Sequence, residues 1–163
     1  MDSKPDAGTT FRAFFPVTAG AVHPHAEPLP PVVSSHAERI LLVDDEPQVL
    51  SVGRRVLESL GYEVSAHGSQ QAALEAFDAD PQCWQLCITD FAMPGMNGVE
   101  LARRIRVRRP DIPIILCTGF GGAIDVAAAK SVGIARVIHK PFQRRELSEA
   151  VESALGKGAL AAK

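Results

Sequence analysis

From residue 39 onward the sequence repeats one pattern five times: a short apolar run, then a segment whose apolar residues have helical spacing. The apolar runs predict strands at 39–43, 62–66, 86–89, 112–117 and 136–139. In the last helical segment, one face of the helix carries Leu147, Ala150, Val151, Ala154 and Leu155. Five such units predict an α/β fold with a parallel sheet, right-handed crossovers and helices on both faces.

The segments between the strands carry signals for helix starts and ends. Helices are predicted at 47–60, after Ser69, at 99–109 and at 123–132. Pro47 suits the first turn of its helix, and Ser69 can cap the second. Gly61, Pro110 and Gly133 each follow a predicted helix end. The repeat therefore accounts for the chain from residue 39 to about residue 155.

Residues before the repeat have a different composition. Prolines at 24, 28, 30 and 31 alternate with small and polar residues, which predicts an extended linker over 17–38. The sequence thus divides into an N-terminal segment at 1–16, this linker, a folded domain at 39–155 and a short tail at 156–163.

Charge, hydropathy and cysteine content exclude several classes of protein. The formal net charge is −2, so no overall basic field draws the chain to nucleic acid. No stretch approaches the ~18 apolar residues of a membrane helix, and no signal peptide is recognisable. Cys83, Cys87 and Cys117 form no metal-type pair, and two of them lie in apolar runs, where buried thiols are expected. These features predict a cytoplasmic protein.

Acidic residues stand at the ends of two predicted strands. Asp90 ends the third, and Asp44 and Asp45 follow the first. If these strands are neighbours, the three carboxylates converge at the edge where open α/β sheets bind ligands. At about 4 Å and an effective dielectric of about 20, each like-charge pair costs about 4 kcal/mol. A hard cation with oxygen ligands is the expected compensation.

Four separated motifs, each at a predicted strand end, resemble those of the receiver domains of two-component response regulators. They are Asp44-Asp45, Asp90 with Met93-Pro94 and Gly98, Thr118-Gly119, and Lys140-Pro141-Phe142. The resemblance covers about residues 39–155. It implies a flavodoxin-like, doubly wound sheet of five parallel strands in the order 2-1-3-4-5, with the site between strands one and three. It also implies a cis bond before Pro141.

The resemblance implies a role for each site residue. Asp90 is the phosphoacceptor, while Lys140 and Thr118 stabilise the transferred phosphoryl group. Asp45, Asp90 and the backbone carbonyl of Ala92 bind Mg²⁺ directly, and Asp44 acts through water.

A second, shorter resemblance lies at the N-terminus. Gly8-Thr9 followed by alternating Phe11, Ala13 and Phe15, then Pro16, is similar to the last strand of a histidine kinase ATP-binding domain. With a proline-rich linker and a receiver after it, this layout suggests the C-terminal part of a hybrid histidine kinase. The alternative is a strand-like tail, and whether residues 1–38 belong to a longer parent chain stays open. None of these residues would bind ATP.

The expected function is therefore a phosphoryl-accepting receiver of a two-component phosphorelay. It would take a phosphoryl group from a phosphohistidine of a histidine kinase or histidine phosphotransfer protein and change conformation. Enzymatic activity beyond its own phosphorylation and dephosphorylation is uncertain, and the oligomeric state is open. Two alternatives are a pseudo-receiver used only for protein contact and an aspartyl-phosphate phosphohydrolase. The phosphohydrolases usually carry a second acid where this chain has Ala92.

Three further features bear on function. Val137 replaces an aromatic residue common in the family, so the glycine-rich segment 119–122 is predicted to change conformation instead. Ala92 replaces a residue that is often polar in the family, which leaves the phosphate lifetime undetermined. The third helix has five arginines, interpreted as a solvated face rather than a contact for a partner or nucleic acid.

Overall fold

The computed structural model describes residues 38–119 and 131–156, together with the backbone of 2–4 and 8–10 and the single residue Phe14. Its strands are β1 (Asp2–Lys4), β2 (Gly8–Thr10), β3 (Arg39–Val43), β4 (Glu63–His67), β5 (Trp84–Asp90), β6 (Ile114–Thr118) and β7 (Arg136–His139). The helices are α1 (Pro47–Ser59), α2 (Gln70–Ala79), α3 (Gly98–Arg108) and α4 (Arg144–Ala154), with a 3₁₀ turn at Pro81–Cys83.

Five strands form one parallel sheet in the order β4-β3-β5-β6-β7. Counted among these five alone, the order is 2-1-3-4-5, which confirms the predicted flavodoxin-like topology. β5 is the central strand, and six of its seven residues are buried. Since β5 pairs with β3 on one side and β6 on the other, it extends beyond the predicted 86–89 at both ends.

Alternation along the strands divides the core into two clusters, one on each face of the sheet. Leu41 and Val43 of β3 pack with buried residues of α2 and α3. Ile40 and Leu42 pack with buried residues of α1 and α4. Because successive side chains of a strand point to opposite faces, a central strand covered by helices on both sides is apolar throughout.

Most predicted boundaries are correct to within two residues. The fifth strand is confirmed at Arg136–His139, whereas the fourth begins at Ile114 rather than residue 112. Ile112 is buried but precedes the strand, and Pro113 has no N–H to donate to a sheet. The predicted helix at 123–132 falls almost entirely outside the described residues.

The N-terminal segment contributes a small sheet of its own. β1 and β2 pair antiparallel, with Ser3 opposite Thr9. The predicted alternation of Phe11, Ala13 and Phe15 lies outside the described residues. No helix in the described ranges is long and apolar enough to cross a membrane.

Glu38 belongs to the folded domain, although the predicted boundary is at residue 39. Its carbonyl accepts a hydrogen bond of 3.1 Å from the N–H of Glu63, which extends the pairing of β3 with β4. In the part of the chain that the structure describes, both core clusters lie wholly between Ile40 and Leu155.

A shortened chain of residues 38–156 should therefore keep the stability of the full chain. We expect its free energy of unfolding to stay within about 0.5 kcal/mol, the range of changes that touch no core contact. Urea unfolding monitored by circular dichroism measures it. A shortened chain that fails to fold would show that the N-terminal segment is part of the core.

Candidate functional site

The candidate site lies where the carboxyl ends of four parallel strands meet. Asp44 follows β3, Asp90 ends β5, Thr118 ends β6 and Lys140 follows β7. The chain leaves β3 and β5 toward opposite faces, since α1 packs on one face and α3 on the other. This reversal opens a crevice between the two strands, where ligands of open α/β sheets bind.

Lys140 joins the two buried carboxylates. Its Nζ lies 2.6 Å from Oδ2 of Asp44 and 2.8 Å from Oδ1 of Asp90. The two carboxylate oxygens are therefore no farther apart than the sum of these distances. The lysine side chain is 11% exposed and each aspartate side chain 5%. Glu46, exposed and 3.5 Å away, is a longer third contact.

The second oxygen of each carboxylate accepts a backbone hydrogen bond. The N–H of Glu46 donates to Oδ1 of Asp44 at 2.9 Å, and the N–H of Ala92 donates to Oδ2 of Asp90 at 2.9 Å. Each N–H comes from the loop that leaves the same strand. Both loops therefore orient the carboxylates.

One ammonium group faces two carboxyl groups, and this arrangement shifts the pKa values of Asp44 and Lys140. Burial raises the pKa of Asp44, and the hydrogen bonds from Lys140 and Glu46 offset this only partly. Burial alone would lower the pKa of Lys140, but its bonds to Asp44 and Asp90 outweigh that and raise its pKa above the usual range. The lysine thus stays charged at neutral pH, and its single ammonium group is shared between two buried carboxyl groups.

The remaining predicted site residues lie beside this group. Thr118 is buried, and its hydroxyl donates to the carbonyl of Gly119 at 3.3 Å. Its own carbonyl accepts from the N–H of Lys140 at 2.7 Å, which ties the ends of β6 and β7 together. Asp45 is half-buried and Ala92 is exposed. The bond between Lys140 and Pro141 is cis, as expected.

The expected cluster of three carboxylates does not take the form of a preassembled metal site. Among the described residues, no three acidic, histidine or cysteine side chains are arranged to hold a metal ion. Instead Lys140 bridges Asp44 and Asp90. Mg²⁺ needs only one or two carboxylates and keeps several waters. The oxygen donors of Asp45, Asp90 and the Ala92 backbone therefore fit Mg²⁺ in chemical type.

Gly98 allows α3 to begin directly against the site. A Cβ atom there would lie 2.2 Å from the carbonyl oxygen of Asp90 and 2.7 Å from Leu116 Cδ1. The N–H of Gly98 donates to the carbonyl of Phe91 at 3.0 Å. The glycine of the sequence motif thus serves close packing, and a larger residue would push the helix away from Asp90.

The sequence analysis missed one residue that contacts this loop. The Nε2 atom of Gln70, at the start of α2, donates to the carbonyls of Pro94 and Met96 at 3.0 and 2.9 Å. No sequence signal identifies it, because it is the first of two adjacent glutamines on a helix.

The arginines of α3 and its C-terminus are mostly engaged within the fold. Arg104 pairs with Glu100, Arg106 donates to the carbonyls of Pro110 and Gly133, Arg108 pairs with Asp78, and Arg109 binds Asp111 and the carbonyls of Pro81 and Trp84. These contacts favour a role within the fold over a contact for nucleic acid, and Arg109, with a side chain only 12% exposed, departs from the predicted solvated face.

The buried cysteines are unreactive. Burial raises the pKa of Cys87 to about 12 and raises the pKa of Cys117 further. Both are free thiols, although Cys117 lies opposite Asp90 in the sheet. A thiolate nucleophile is therefore excluded at these positions at neutral pH.

A mostly apolar groove of about 440 Å³ adjoins Lys140. Its lining residues are Glu46, Gln48, Val49, Val52, Gly119, Lys140, Pro141 and Phe142. Val52 of α1 is 56% exposed and contributes an apolar side chain to this groove. The groove, defined by these residues, joins α1 to the loop after β7.

Comparisons with known proteins agree with the fold. The sequence model of the response regulator receiver domain matches residues 40–152. Chemotaxis protein CheY1 of Helicobacter pylori is 37% identical over 123 residues, covering 72% of this chain and 97% of the relative. The response regulator receiver protein CpdR of Brucella abortus is 34% identical over 118 residues, covering 72% and 97%. A crystal structure of a receiver domain protein from Clostridium thermocellum matches with a TM-score of 0.70 and 29% identity, covering 74% of this chain and 95% of that one.

The raised pKa of Asp44 predicts a pH dependence of stability without Mg²⁺. A carboxyl whose folded pKa exceeds its unfolded value contributes most below the unfolded value, 3.8, and loses that contribution as the pH rises through the folded pKa. The stability of the wild type should therefore fall relative to Asp44→Asn from pH 4 toward neutrality. Denaturant unfolding at a series of pH values, with a chelator present, measures the difference.

Asp111→Asn is the matched control. Its hydrogen bond with Arg109 lowers the pKa of Asp111, so the wild type should gain stability relative to this variant as the pH rises. The same sign for both variants would contradict the description of Asp44 as a carboxylate whose burial is incompletely compensated.

Proposed function

The chain belongs to the family of response regulator receiver domains, and from this premise we propose that it accepts a phosphoryl group on Asp90. One observation supports this most directly: the Asp90 carboxylate ends the central strand and binds the ammonium group of Lys140 at 2.8 Å. A nucleophile for phosphoryl transfer needs a fixed direction and nearby positive charge for the transferred oxygens. Asp90 has both.

In the proposed step, a carboxylate oxygen of Asp90 attacks the phosphorus of a phosphohistidine. The P–O bond forms as the P–N bond breaks, and the leaving imidazole takes up a proton from solvent. Lys140 is placed to neutralise a phosphoryl oxygen. The Thr118 hydroxyl can donate to another oxygen once it leaves the carbonyl of Gly119.

We propose that Asp45, Asp90 and the Ala92 carbonyl bind Mg²⁺, with Asp44 acting through water. When bound, the ion would offset the charge of the phosphoryl oxygens. The oxygen-only donor set supports this, as does the pairing of two carboxyl groups with the single ammonium group of Lys140. Asp45 is more exposed than the buried Asp44, which favours Asp45 as the direct ligand.

A phosphoryl group would also disturb the existing contacts of Lys140. The transferred group carries about −1.5 to −2 units of charge where the carboxylate carried −1, and so it competes more strongly with Asp44 for the ammonium group. Differential contacts of this kind shift a domain between conformations. The conformational change predicted for the glycine-rich segment 119–122 falls mostly outside the described residues. Val137, on β7, is 40% exposed rather than packed in the core.

The proposed partner is a histidine kinase or histidine phosphotransfer protein that docks on the groove beside Lys140. Its apolar lining and the exposed Val52 suit a protein contact, and the groove adjoins the nucleophile's own lysine. Such a partner would act in the cytoplasm.

That this chain is the C-terminal part of a hybrid histidine kinase stays a proposal. Its only support is the sequence of residues 8–16 and the linker.

The two alternative functions have less support. A pseudo-receiver needs no nucleophile, yet Asp90 and Lys140 are paired with Asp44 in one buried group. A phosphohydrolase would need an acid near the position of Ala92, whose side chain is a methyl group.

Asp90→Asn should abolish phosphorylation. Intact-mass analysis after incubation with acetyl phosphate and Mg²⁺ should show one added phosphoryl group on the wild type. The control variant Asp111→Asn should show the same, because Asp111 precedes β6 and the site lies at the carboxyl ends of the strands. Asp90→Asn should show none, and a chelator should reduce the wild-type yield at least about tenfold, since Mg²⁺ removes several kcal/mol of charge repulsion. An adduct on Asp90→Asn would refute Asp90 as the acceptor.

Val52→Asp should separate partner docking from the chemical step. A charge in the apolar groove should slow transfer from a phosphohistidine protein about tenfold or more, equivalent to about 1.4 kcal/mol, and leave the reaction with acetyl phosphate unchanged. Val107→Asp is the matched control, because Val107 is 83% exposed on α3, away from the groove. Equal transfer to both variants would place the docking surface elsewhere.

A further inference from the structure

The loop that follows Asp90 accepts two hydrogen bonds from one side chain of α2. Gln70 begins α2, on the face of the sheet that also carries α3. Its amide nitrogen donates to the carbonyl of Pro94 at 3.0 Å and to that of Met96 at 2.9 Å. An amide NH₂ has two hydrogens, so both are used on this loop.

The shape of the loop brings these two carbonyls together. Gly95 has φ +85°, a conformation that favours glycine, and the N–H of Met96 donates to the carbonyl of Pro94 at 3.1 Å. The tight turn therefore directs the carbonyls of Pro94 and Met96 toward one donor.

The opposite end of the same loop contacts the nucleophile. The N–H of Ala92 donates to Oδ2 of Asp90, and the side chain of Met93 is buried in the core. Gly98 closes the loop on the carbonyl of Phe91. Between Met93 and Gly98, Gln70 supplies two hydrogen bonds from α2 to the loop, and Met96 packs against the core cluster that includes buried residues of α2.

We propose that Gln70 is a positioning residue for the phosphoacceptor site. By fixing residues 94–96, its amide keeps the Ala92 N–H on Asp90. Gln70 itself touches no reacting atom. Its effect on phosphoryl uptake rests on the proposed function, whereas its effect on the loop does not.

The neighbouring glutamine provides a matched control. Gln71 donates its amide to Glu75 of the same helix at 2.8 Å, and it is exposed. Gln71→Ala therefore removes an equivalent side chain, one residue away, without releasing the loop. Gln70→Glu keeps the size of the side chain but replaces the donor with a carboxylate that faces two carbonyl oxygens.

Amide hydrogen exchange tests the effect on the loop without Mg²⁺ or phosphate. In Gln70→Ala and Gln70→Glu, the amide of Ala92 should exchange at least about tenfold faster than in the wild type, as expected for losing two neutral hydrogen bonds. Gln71→Ala should match the wild type. Unchanged exchange at Ala92 in Gln70→Ala, or wild-type exchange in Gln70→Glu, would overturn the proposal.

Phosphoryl uptake from acetyl phosphate tests the consequence at Asp90. Gln70→Ala should take up the group about tenfold more slowly while keeping the circular dichroism spectrum of the folded protein, and Gln71→Ala should react like the wild type. Faster exchange at Ala92 with wild-type uptake would overturn the positioning role. If the wild type takes up no phosphoryl group, the proposed function fails, and the exchange measurement alone decides whether Gln70 holds the loop.

Discussion

The ammonium group of Lys140 is the contact on which the site depends. It binds carboxylates from the ends of β3 and β5 while standing at the end of β7 itself. In the sheet, β3 and β5 are neighbours, and β6 lies between β5 and β7. The contact therefore depends on the strand order that brings the ends of β3, β5 and β7 to the same side of the sheet. Replacing the lysine would leave two buried carboxylates facing each other without compensation, a strongly unfavourable arrangement.

The sequence predicts the fold well, for physical reasons. Apolar runs too short for helices, separated by amphipathic segments, leave a parallel sheet as the main solution. The placement of Asp44, Asp90, Thr118 and Lys140 at one edge follows from the same pattern, because each stands at a predicted strand end. Domain boundaries outside the sheet stay predictions, apart from Glu38, whose carbonyl extends the β3–β4 pairing.

Contacts that depend on side-chain direction could not be predicted. The charge pattern at 103–109 predicts a solvated basic face. Arg109 instead donates to the carbonyls of Pro81 and Trp84, and its side chain is only 12% exposed. The sequence suggests a metal site formed by three acidic residues, but in the structure Asp44 and Asp90 are both paired with Lys140. Gln70 differs from Gln71 only by its direction on the helix, and that direction decides which one reaches the loop.

The site and the groove share residues, so a change in the contacts of the site alters the lining of the groove. Lys140 lines the groove and binds Asp90, and Glu46 lines it while its N–H binds Asp44. On the proposed function, a phosphoryl group on Asp90 competes for Lys140 and loosens its bond to Asp44. Glu46 directly precedes α1, so the relaxation reaches the helix that carries Val52. A partner that has delivered its phosphoryl group would then meet a changed surface, which couples transfer to release by local electrostatics.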